Sequence, residues 1–234
     1  MQTPPKNKII LPLDVPDAGT ARTWIDLLAG HVGLFKVGLQ LFTAAGPAFV
    51  RELTAAGHRI FLDLKFHDIP NTVRGAVGSA RDLGVEMTTV HLSGGADMAR
   101  AAAESATGSR LLVLGVTVLT SSSAETLRSC GADPDVEAQV LRLATLGLQS
   151  GVGGLVASAQ EIAALRVHFG AGPVLVIPGV RPAWAGADDQ QRILTPAEAV
   201  RLGADYLVIG RPITSHPDPR EAVSRIAEEI ASAG

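Results

Sequence analysis

The sequence predicts an α/β fold, a single-domain (β/α)8 barrel (TIM barrel) that spans residues 1–234. Short apolar runs rich in β-branched residues alternate with Ala-, Leu- and Arg-rich segments of helical period, and the alternation repeats eight times without a break in composition. Strands that are apolar on both faces and joined by helices form parallel sheets. Eight such units in a chain of this length indicate a closed barrel, with a doubly wound open sheet as the alternative.

The apolar runs predict the strands, and the segments between them predict the helices. Strands are expected at 9–13, 34–37, 60–64, 87–91, 111–118, 154–156, 174–177 and 206–209. Helices are expected at 18–28, 47–56, 71–83, 97–107, 135–148, 159–169, 196–202 and 219–232. Pro196 and Pro219 mark two helix starts, because proline suits the first turn of a helix.

Composition excludes several classes of protein. A net charge of -3 and a pI near 6.1 indicate no basic surface for nucleic acid. The longest strongly apolar stretch, 111–119, is shorter than the ~20 residues that a membrane-spanning helix needs, and the N-terminal apolar run is too short for a signal peptide. The single cysteine, Cys130, cannot form an intrachain disulfide. We therefore expect a cytoplasmic protein with no nucleic-acid or membrane partner.

The segment 61–72 places charged side chains in an apolar strand and in the turn after it. Asp63, Lys65 and Asp68 all lie there, although burying a charge is costly unless the charge is paired. Residues two apart on a strand share a face, so Asp63 and Lys65 are predicted to point the same way. This pattern indicates a functional site.

Lysine is rare in this chain, which draws attention to two positions. Only four of the 20 basic residues are lysines, at positions 6, 8, 36 and 65, and the other 16 are arginines. Lys36 and Lys65 each lie at the end of an apolar run. Because an ammonium can give up a proton and a guanidinium cannot, both are candidate catalytic groups. The alternative is that each is an ordinary ion-pair partner of a neighbouring aspartate.

Further polar residues follow the predicted strands, at the end where the active sites of such barrels lie. Gly210 would let an anion approach the backbone, and Arg211 offers a planar donor group suited to phosphate oxygens. The loop 179–194, which contains Gln190, is predicted to be a lid. In the alternative, Arg211 pairs with a surface acid and the loop has no function. The residues expected at this mouth are Asp14, Lys36, Asp63, Lys65, Asp68, Thr120, Arg181, Gly210 and Arg211.

Residues 63–72, with the sequence DLKFHDIPNT, resemble the signature of the orotidine 5'-phosphate decarboxylase family. The resemblance continues in order along essentially the whole chain, through LD at 13–14, FKVG at 35–38, VTVLTS at 116–121, PGVRP at 178–182, DQ at 189–190 and IGRPIT at 209–214. It implies a homodimer without cofactor that converts orotidine 5'-phosphate to UMP, the last step of de novo pyrimidine nucleotide biosynthesis.

The same resemblance implies a role for each matched residue. Asp63 would lie against the substrate carboxylate, and Lys65 would deliver the proton. Asp14 and Lys36 would hold the ribose hydroxyls and orient the charged cluster. Asp68, as a catalytic group, would enter the neighbouring subunit's site with Ile69 and Thr72. The remaining matched residues would contact the pyrimidine edge, through Thr120, or surround the phosphate, through Arg181, Gln190, Gly210 and Arg211.

The sequence leaves two other functions open. A related barrel with an Asp-x-Lys-x-x-Asp strand, such as 3-keto-gulonate phosphate decarboxylase or hexulose phosphate synthase, would need a divalent metal ion and would lack the Ile-Pro-Asn-Thr continuation at 69–72. A non-catalytic barrel that senses UMP would lack one or more of the charged residues of the strand-three motif. Here Asp63, Lys65 and Asp68 are all present. The spacing of His67 and His91 matches no metal-binding motif, so no metal site is expected.

Overall fold

The structure, a computed structural model, describes residues 3–185 and 194–233. In these ranges eight parallel strands close into a barrel in chain order, and β1 pairs with β8. The predicted (β/α)8 barrel is therefore confirmed, and the alternative of a doubly wound open sheet is wrong. The strands are β1 (Ile9–Pro12), β2 (Leu34–Gly38), β3 (Ile60–Phe66), β4 (Met87–His91), β5 (Leu112–Val116), β6 (Gly154–Val156), β7 (Val174–Pro178) and β8 (Tyr206–Val208).

Ten α-helices lie in the described ranges. They are α1 (Ala18–Leu28), α2 (Leu39–Ala55), α3 (Pro70–Asp82), α4 (Ala96–Ala106), α5 (Ala124–Ser129), α6 (Val136–Gln149), α7 (Ile162–Phe169), α8 (Pro196–Leu202), α9 (Arg211–Thr214) and α10 (Pro219–Ala231). Short 3-10 helices occur at Pro5–Lys8, Leu92–Gly94, Ala159–Glu161 and Ala183–Ala185.

Side-chain caps explain why two of these helices begin where the prolines predict. Thr195 accepts a hydrogen bond from the backbone N–H of Glu198, directly before Pro196 at the start of α8. Asp218 accepts from the backbone N–H groups of the first turn of α10, directly before Pro219. Both predicted helix starts are confirmed.

Helix α2 begins earlier than the sequence predicts. Gly46 has φ 71° and ψ -179°, so the helix is broken at this residue. Pro47, the predicted start, opens only the second part of α2. The first part runs from Leu39 and follows β2 without a loop.

The interior of the barrel is filled by apolar side chains, so it is a packed core and not a pore. One residue from each of six strands forms its centre: Ile10, Leu34, Phe61, Met87, Leu114 and Val176. A larger apolar layer lies between the strands and the helices. Inward-facing side chains nearer the carboxyl end of each strand than this central layer therefore lie at the barrel mouth. No helix in the described ranges is both long enough and apolar enough to cross a membrane.

Candidate active site

A cavity of about 380 Å³ opens at the carboxyl ends of the strands. Its apolar floor includes Pro12, Phe61, Val116, Val156 and Val208. The volume is in the range of small-molecule sites. Eight of the residues singled out from the sequence line this one cavity: Asp14, Lys36, Asp63, Lys65, Thr120, Arg181, Gly210 and Arg211.

A row of alternating charges runs along one side of the cavity. Lys36 Nζ lies 3.3 Å from Asp14 Oδ1 and 3.6 Å from Asp63 Oδ2. Lys65 Nζ lies 2.9 Å from Asp63 Oδ1 and 2.8 Å from Asp63 Oδ2. Asp14 is exposed at the rim, whereas the side chains of Lys36 and Asp63 are nearly buried. Asp63 thus stands between two ammonium groups.

The surroundings of Asp63 keep it ionised. Burial alone would raise the pKa of this carboxyl, because a charged group loses its hydration. The charges of Lys36 and Lys65, with hydrogen bonds from Lys65 and Thr89, outweigh burial and lower the pKa of Asp63 below its ordinary value. A fixed negative charge therefore lies between the ammonium groups of Lys36 and Lys65.

Strand β3 is irregular at the residues that carry these charges. Leu62 pairs with Thr88 and Phe66 with Val90, so four steps along β3 oppose two along β4. Lys65 has φ 50°, and in the described ranges no other residue except glycine has a positive φ. A bulge of this kind changes the direction of a side chain, and here the Lys65 ammonium reaches both oxygens of Asp63.

Thr89 on β4 faces this bulge and is not among the site residues predicted from the sequence. Its side chain is fully buried. The hydroxyl donates to Asp63 Oδ1 at 2.9 Å and accepts from the backbone N–H of Lys65 at 2.9 Å. The one signal in the sequence is a pair of threonines, Thr88 and Thr89, inside an otherwise apolar strand. Buried hydroxyls need partners, but the sequence does not say which.

Gly38 is a second residue whose part in the site was missed. A Cβ atom at this position would lie 3.0 Å from Lys36 Nζ and 3.5 Å from Asp14 Oδ1. Glycine therefore leaves the room that the Lys36 ammonium occupies between its two carboxylates.

The cationic side chains Arg181 and Arg211 line the same cavity. A Cβ atom on Gly210 would lie 2.9 Å from Pro12 Cγ, so glycine also lets the turn into α9 pack against β1. The backbone N–H of Arg181 donates to the carbonyl of Leu194 at 3.2 Å. The predicted Gln190, and with it most of the predicted lid, lies outside the described residues.

Asp68, Ile69 and Thr72 lie at the start of α3 and do not line the cavity as the described residues form it. All three are exposed, and Ile69 shows 66% of its surface to solvent. Asp68 Oδ1 accepts a hydrogen bond from the backbone N–H of Ile69 at 2.6 Å. A single copy of the chain therefore does not bring Asp68 to Lys65.

The two histidines beside the cluster lie against each other, with ring centroids 5.6 Å apart. Burial lowers the pKa of His91 below its ordinary value, and the neighbouring His67 and Lys65 lower it further. Within the described ranges no group of three or more His, Cys, Asp or Glu side chains is arranged to hold a metal ion.

The fold and the cavity define a (β/α)8-barrel protein whose strand ends gather an Asp–Lys acid–base cluster and two arginines suited to an anion. A family model described as "Orotidine 5'-phosphate decarboxylase / HUMPS family" matches residues 7–226. The chain belongs to this family.

Individual relatives point to one branch of it. The chain is 49% identical over 231 residues, 96% of both chains, to the orotidine 5'-phosphate decarboxylase of Geobacter sp. (strain M21). It is 52% identical over 233 residues, 96% of this chain and 92% of the relative, to that of Moorella thermoacetica. A crystal structure of the enzyme from Lactobacillus acidophilus superposes with a TM-score of 0.85 at 35% identity, covering 94% of this chain and 97% of that one.

Proposed function

We propose that the barrel mouth decarboxylates orotidine 5'-phosphate to UMP without a cofactor, the last step of de novo pyrimidine nucleotide biosynthesis. One observation carries the proposal: the Asp63–Lys65 pair, at 2.8 Å, lies in a cavity that Arg181 and Arg211 also line. Such a cavity offers a proton donor for carbon and cationic groups for a phosphate. Relatives at about 50% identity over nearly the full chain, named for this activity, support the assignment.

The proposed chemistry uses Lys65 as the acid. The bond between C6 of the pyrimidine and its carboxylate breaks, carbon dioxide leaves, and the electron pair stays on C6. A cation held beside developing negative charge stabilises it in a preorganised site. The Lys65 ammonium then gives its proton to C6, and the amine regains a proton from solvent.

Asp63 would lie against the substrate carboxylate and raise the energy of the bound substrate. Two unit charges 4 Å apart at an effective dielectric of 20 interact by about 4 kcal/mol. Enzymes commonly lower a barrier by ~8–23 kcal/mol. Repulsion from Asp63 is therefore too small alone, and the larger share comes from stabilisation of the carbanion and from remote binding energy.

Phosphate contacts are the proposed source of that remote energy. Arg211 is exposed at the cavity and follows Gly210, so its guanidinium is accessible to an anion. Arg181 lines the cavity beside it. The resemblance adds Gln190 to this group, and that assignment remains a prediction on a residue outside the described ranges.

The ribose and the pyrimidine of the substrate also have proposed binding residues. Asp14 at the rim and Lys36, whose ammonium lies 3.3 Å from it, would take the ribose hydroxyls. Thr120, which is exposed after β5, would contact the pyrimidine edge. These roles rest on the position of each residue in the cavity and on the family resemblance.

A second copy of the chain would complete the site. Asp68, Ile69 and Thr72 would enter the neighbouring subunit's cavity, which accounts for an exposed Ile69 on a single copy. Asp68 would bring a second carboxylate to Lys65 and attract its ammonium electrostatically. We take residues 1–234 as one domain, and a cytoplasmic location fits the single free cysteine, Cys130.

The test is to add orotidine 5'-phosphate to the purified protein with a metal chelator and to follow the ultraviolet absorbance change to UMP. Turnover that survives the chelator supports the proposal. Turnover that needs an added divalent ion would favour the metal-dependent sugar-phosphate branch. Binding of UMP without any conversion of orotidine 5'-phosphate would favour the sensor.

A further inference from the structure

The backbone at Lys65 needs an explanation that the proposed chemistry does not give. A φ of 50° is disfavoured for residues with a side chain. Lys65 adopts it where β3 carries extra residues against β4. Unusual backbone of this kind persists where the surrounding structure fixes it, and it is common at functional sites.

Thr89 provides the contact that fixes this backbone. It lies between Thr88 and Val90, whose partners on β3 are Leu62 and Phe66, so it stands opposite the bulge. The Thr89 hydroxyl accepts from the N–H of Lys65 and donates to Asp63 Oδ1, both at 2.9 Å. One fully buried hydroxyl thus joins the backbone of the acid to the carboxylate beside it.

We propose that Thr89 is a positioning residue for the decarboxylation, because its hydroxyl holds the backbone of Lys65 and the carboxylate of Asp63 in the arrangement that aims the ammonium into the cavity. The inference rests on the proposed function. Thr89 Oγ1 is engaged with both groups at once, so its effect on turnover is exerted through Lys65 and Asp63.

The loss of this hydroxyl has a second consequence, which a purely structural role would not produce. Thr89 is one of the donors that lower the pKa of Asp63, so its removal raises that pKa. Because the proposed chemistry uses Asp63 in its ionised form, the acid limb of the pH profile of kcat then moves to higher pH. The other charged or titratable groups around Asp63 are Asp14, Lys36, Lys65, His67 and His91, and they are the same in the variants compared.

The chain offers a matched control one residue away. Thr88 is also fully buried on β4, and its hydroxyl donates to the carbonyl of Leu62 at 3.0 Å. Thr88→Val and Thr89→Val each remove one buried hydroxyl of the same strand and leave nearly the same volume. Only Thr89 contacts the charged row.

The experiment compares kcat, KM and the pH profile of kcat for Thr89→Val, Thr89→Ser and Thr88→Val. We expect Thr89→Val to lower kcat about 10- to 100-fold, since small misplacement of a reacting group costs that much, with KM changed less than about threefold. The acid limb moves to higher pH. Thr89→Ser, which restores the hydroxyl, returns kcat to within about threefold of the unmodified protein, as does Thr88→Val.

The proposal is overturned if Thr89→Val keeps kcat within about twofold and leaves the pH profile in place, or if Thr88→Val loses as much kcat. Should Thr89→Val fail to fold, Thr89→Cys, with a similar shape and a weaker donor, is judged by the same criteria. Should the unmodified protein not decarboxylate orotidine 5'-phosphate, the proposed function fails. Crystal structures of the variants then decide the positioning claim separately: it holds if Lys65 leaves positive φ in Thr89→Val only, and fails otherwise.

Discussion

The ammonium of Lys65 lies 2.8 Å from Oδ2 of Asp63, and Lys65 reaches it with a backbone φ of 50°. Side chains two residues apart on a regular strand share a face, but they stand parallel to each other. The regular geometry of a strand does not by itself bring two such side chains into contact. In β3, which carries a bulge here, the Lys65 ammonium contacts both carboxylate oxygens of Asp63. Its consequences for stability, binding and turnover can be measured.

Asp63→Asn should destabilise the fold, because it leaves the nearly buried ammonium of Lys36 and the partly buried ammonium of Lys65 without their shared carboxylate. The expected loss at pH 7 is about 1–3 kcal/mol in the free energy of unfolding. The folded-state pKa of Asp63 is lowered, so its contribution is present above its unfolded pKa of about 4 and is lost as pH falls through the folded-state value. Urea unfolding at pH 7, 5 and 3 measures the difference between the two proteins.

Asp14→Asn is the control for that experiment. Asp14 is largely exposed, and its Oδ1 lies 3.3 Å from Lys36 Nζ. Exposed pairs contribute about 0–1 kcal/mol. An equal loss of stability in both variants, or a loss in Asp63→Asn that does not shrink in acid, would contradict the electrostatic account of Asp63.

Gly38→Ala should impair turnover while leaving the fold intact. The added methyl group would lie 3.0 Å from Lys36 Nζ, so the ammonium must move within the charged row. We expect kcat/KM to fall about 10-fold or more. Gly172→Ala, where the new Cβ meets only ordinary contacts outside the site, should change kcat/KM less than about twofold. Equal activities for the two variants would show that Lys36 does not need its present position.

Arg211→Ala should weaken catalysis on orotidine 5'-phosphate far more than on the phosphate-free nucleoside. A guanidinium that binds phosphate contributes nothing to a substrate without one. The comparison of kcat/KM for the two substrates measures this difference. Arg142→Ala, which removes an exposed arginine on α6 paired with Asp133, is the control and should affect neither substrate. Equal losses on both substrates would refute the remote-binding argument.

Mixing inactive Lys65→Ala with inactive Asp68→Ala should restore activity if the site is shared between subunits. A mixed dimer holds one site with both wild-type groups, so random exchange should recover about a quarter of the normal activity. Lys65→Ala mixed with the double variant Lys65→Ala/Asp68→Ala has no Lys65 and must stay inactive. If mixed dimers form and activity does not return, Asp68 does not act across the interface.

Much of the fold was predictable because its strands and longer helices carry strong local patterns. Helix α1 and α8, and strands β4 and β6, match their predicted bounds. Helices α5 and α9, of six and four residues, are too short to show a helical period and were not predicted. Helix α2 begins at Leu39 and not at the predicted Pro47, because the helix is broken at Gly46 and its first part directly follows β2.

The part of the site that was predictable consists of residues at the carboxyl ends of the strands. Alternation placed Asp63 and Lys65 on one face, and the eight predicted residues that line the cavity lie on or after six different strands. The bulge and the contact of Thr89 depend on the pairing of β3 with β4, which brings together residues 24 and 26 positions apart. No local pattern specifies that pairing.

Production of UMP by Lys65→Ala and Lys65→Arg tests the central claim, that the ammonium of Lys65 protonates the carbon released by decarboxylation. Lys65→Ala removes the acid, and Lys65→Arg keeps the charge but supplies a much weaker acid, because a guanidinium stays protonated at neutral pH. The account predicts that both lose turnover by about 100-fold or more, the contribution of a placed general acid, while circular dichroism shows an intact fold. Turnover of Lys65→Arg or Lys65→Ala within about tenfold of the unmodified protein would contradict it.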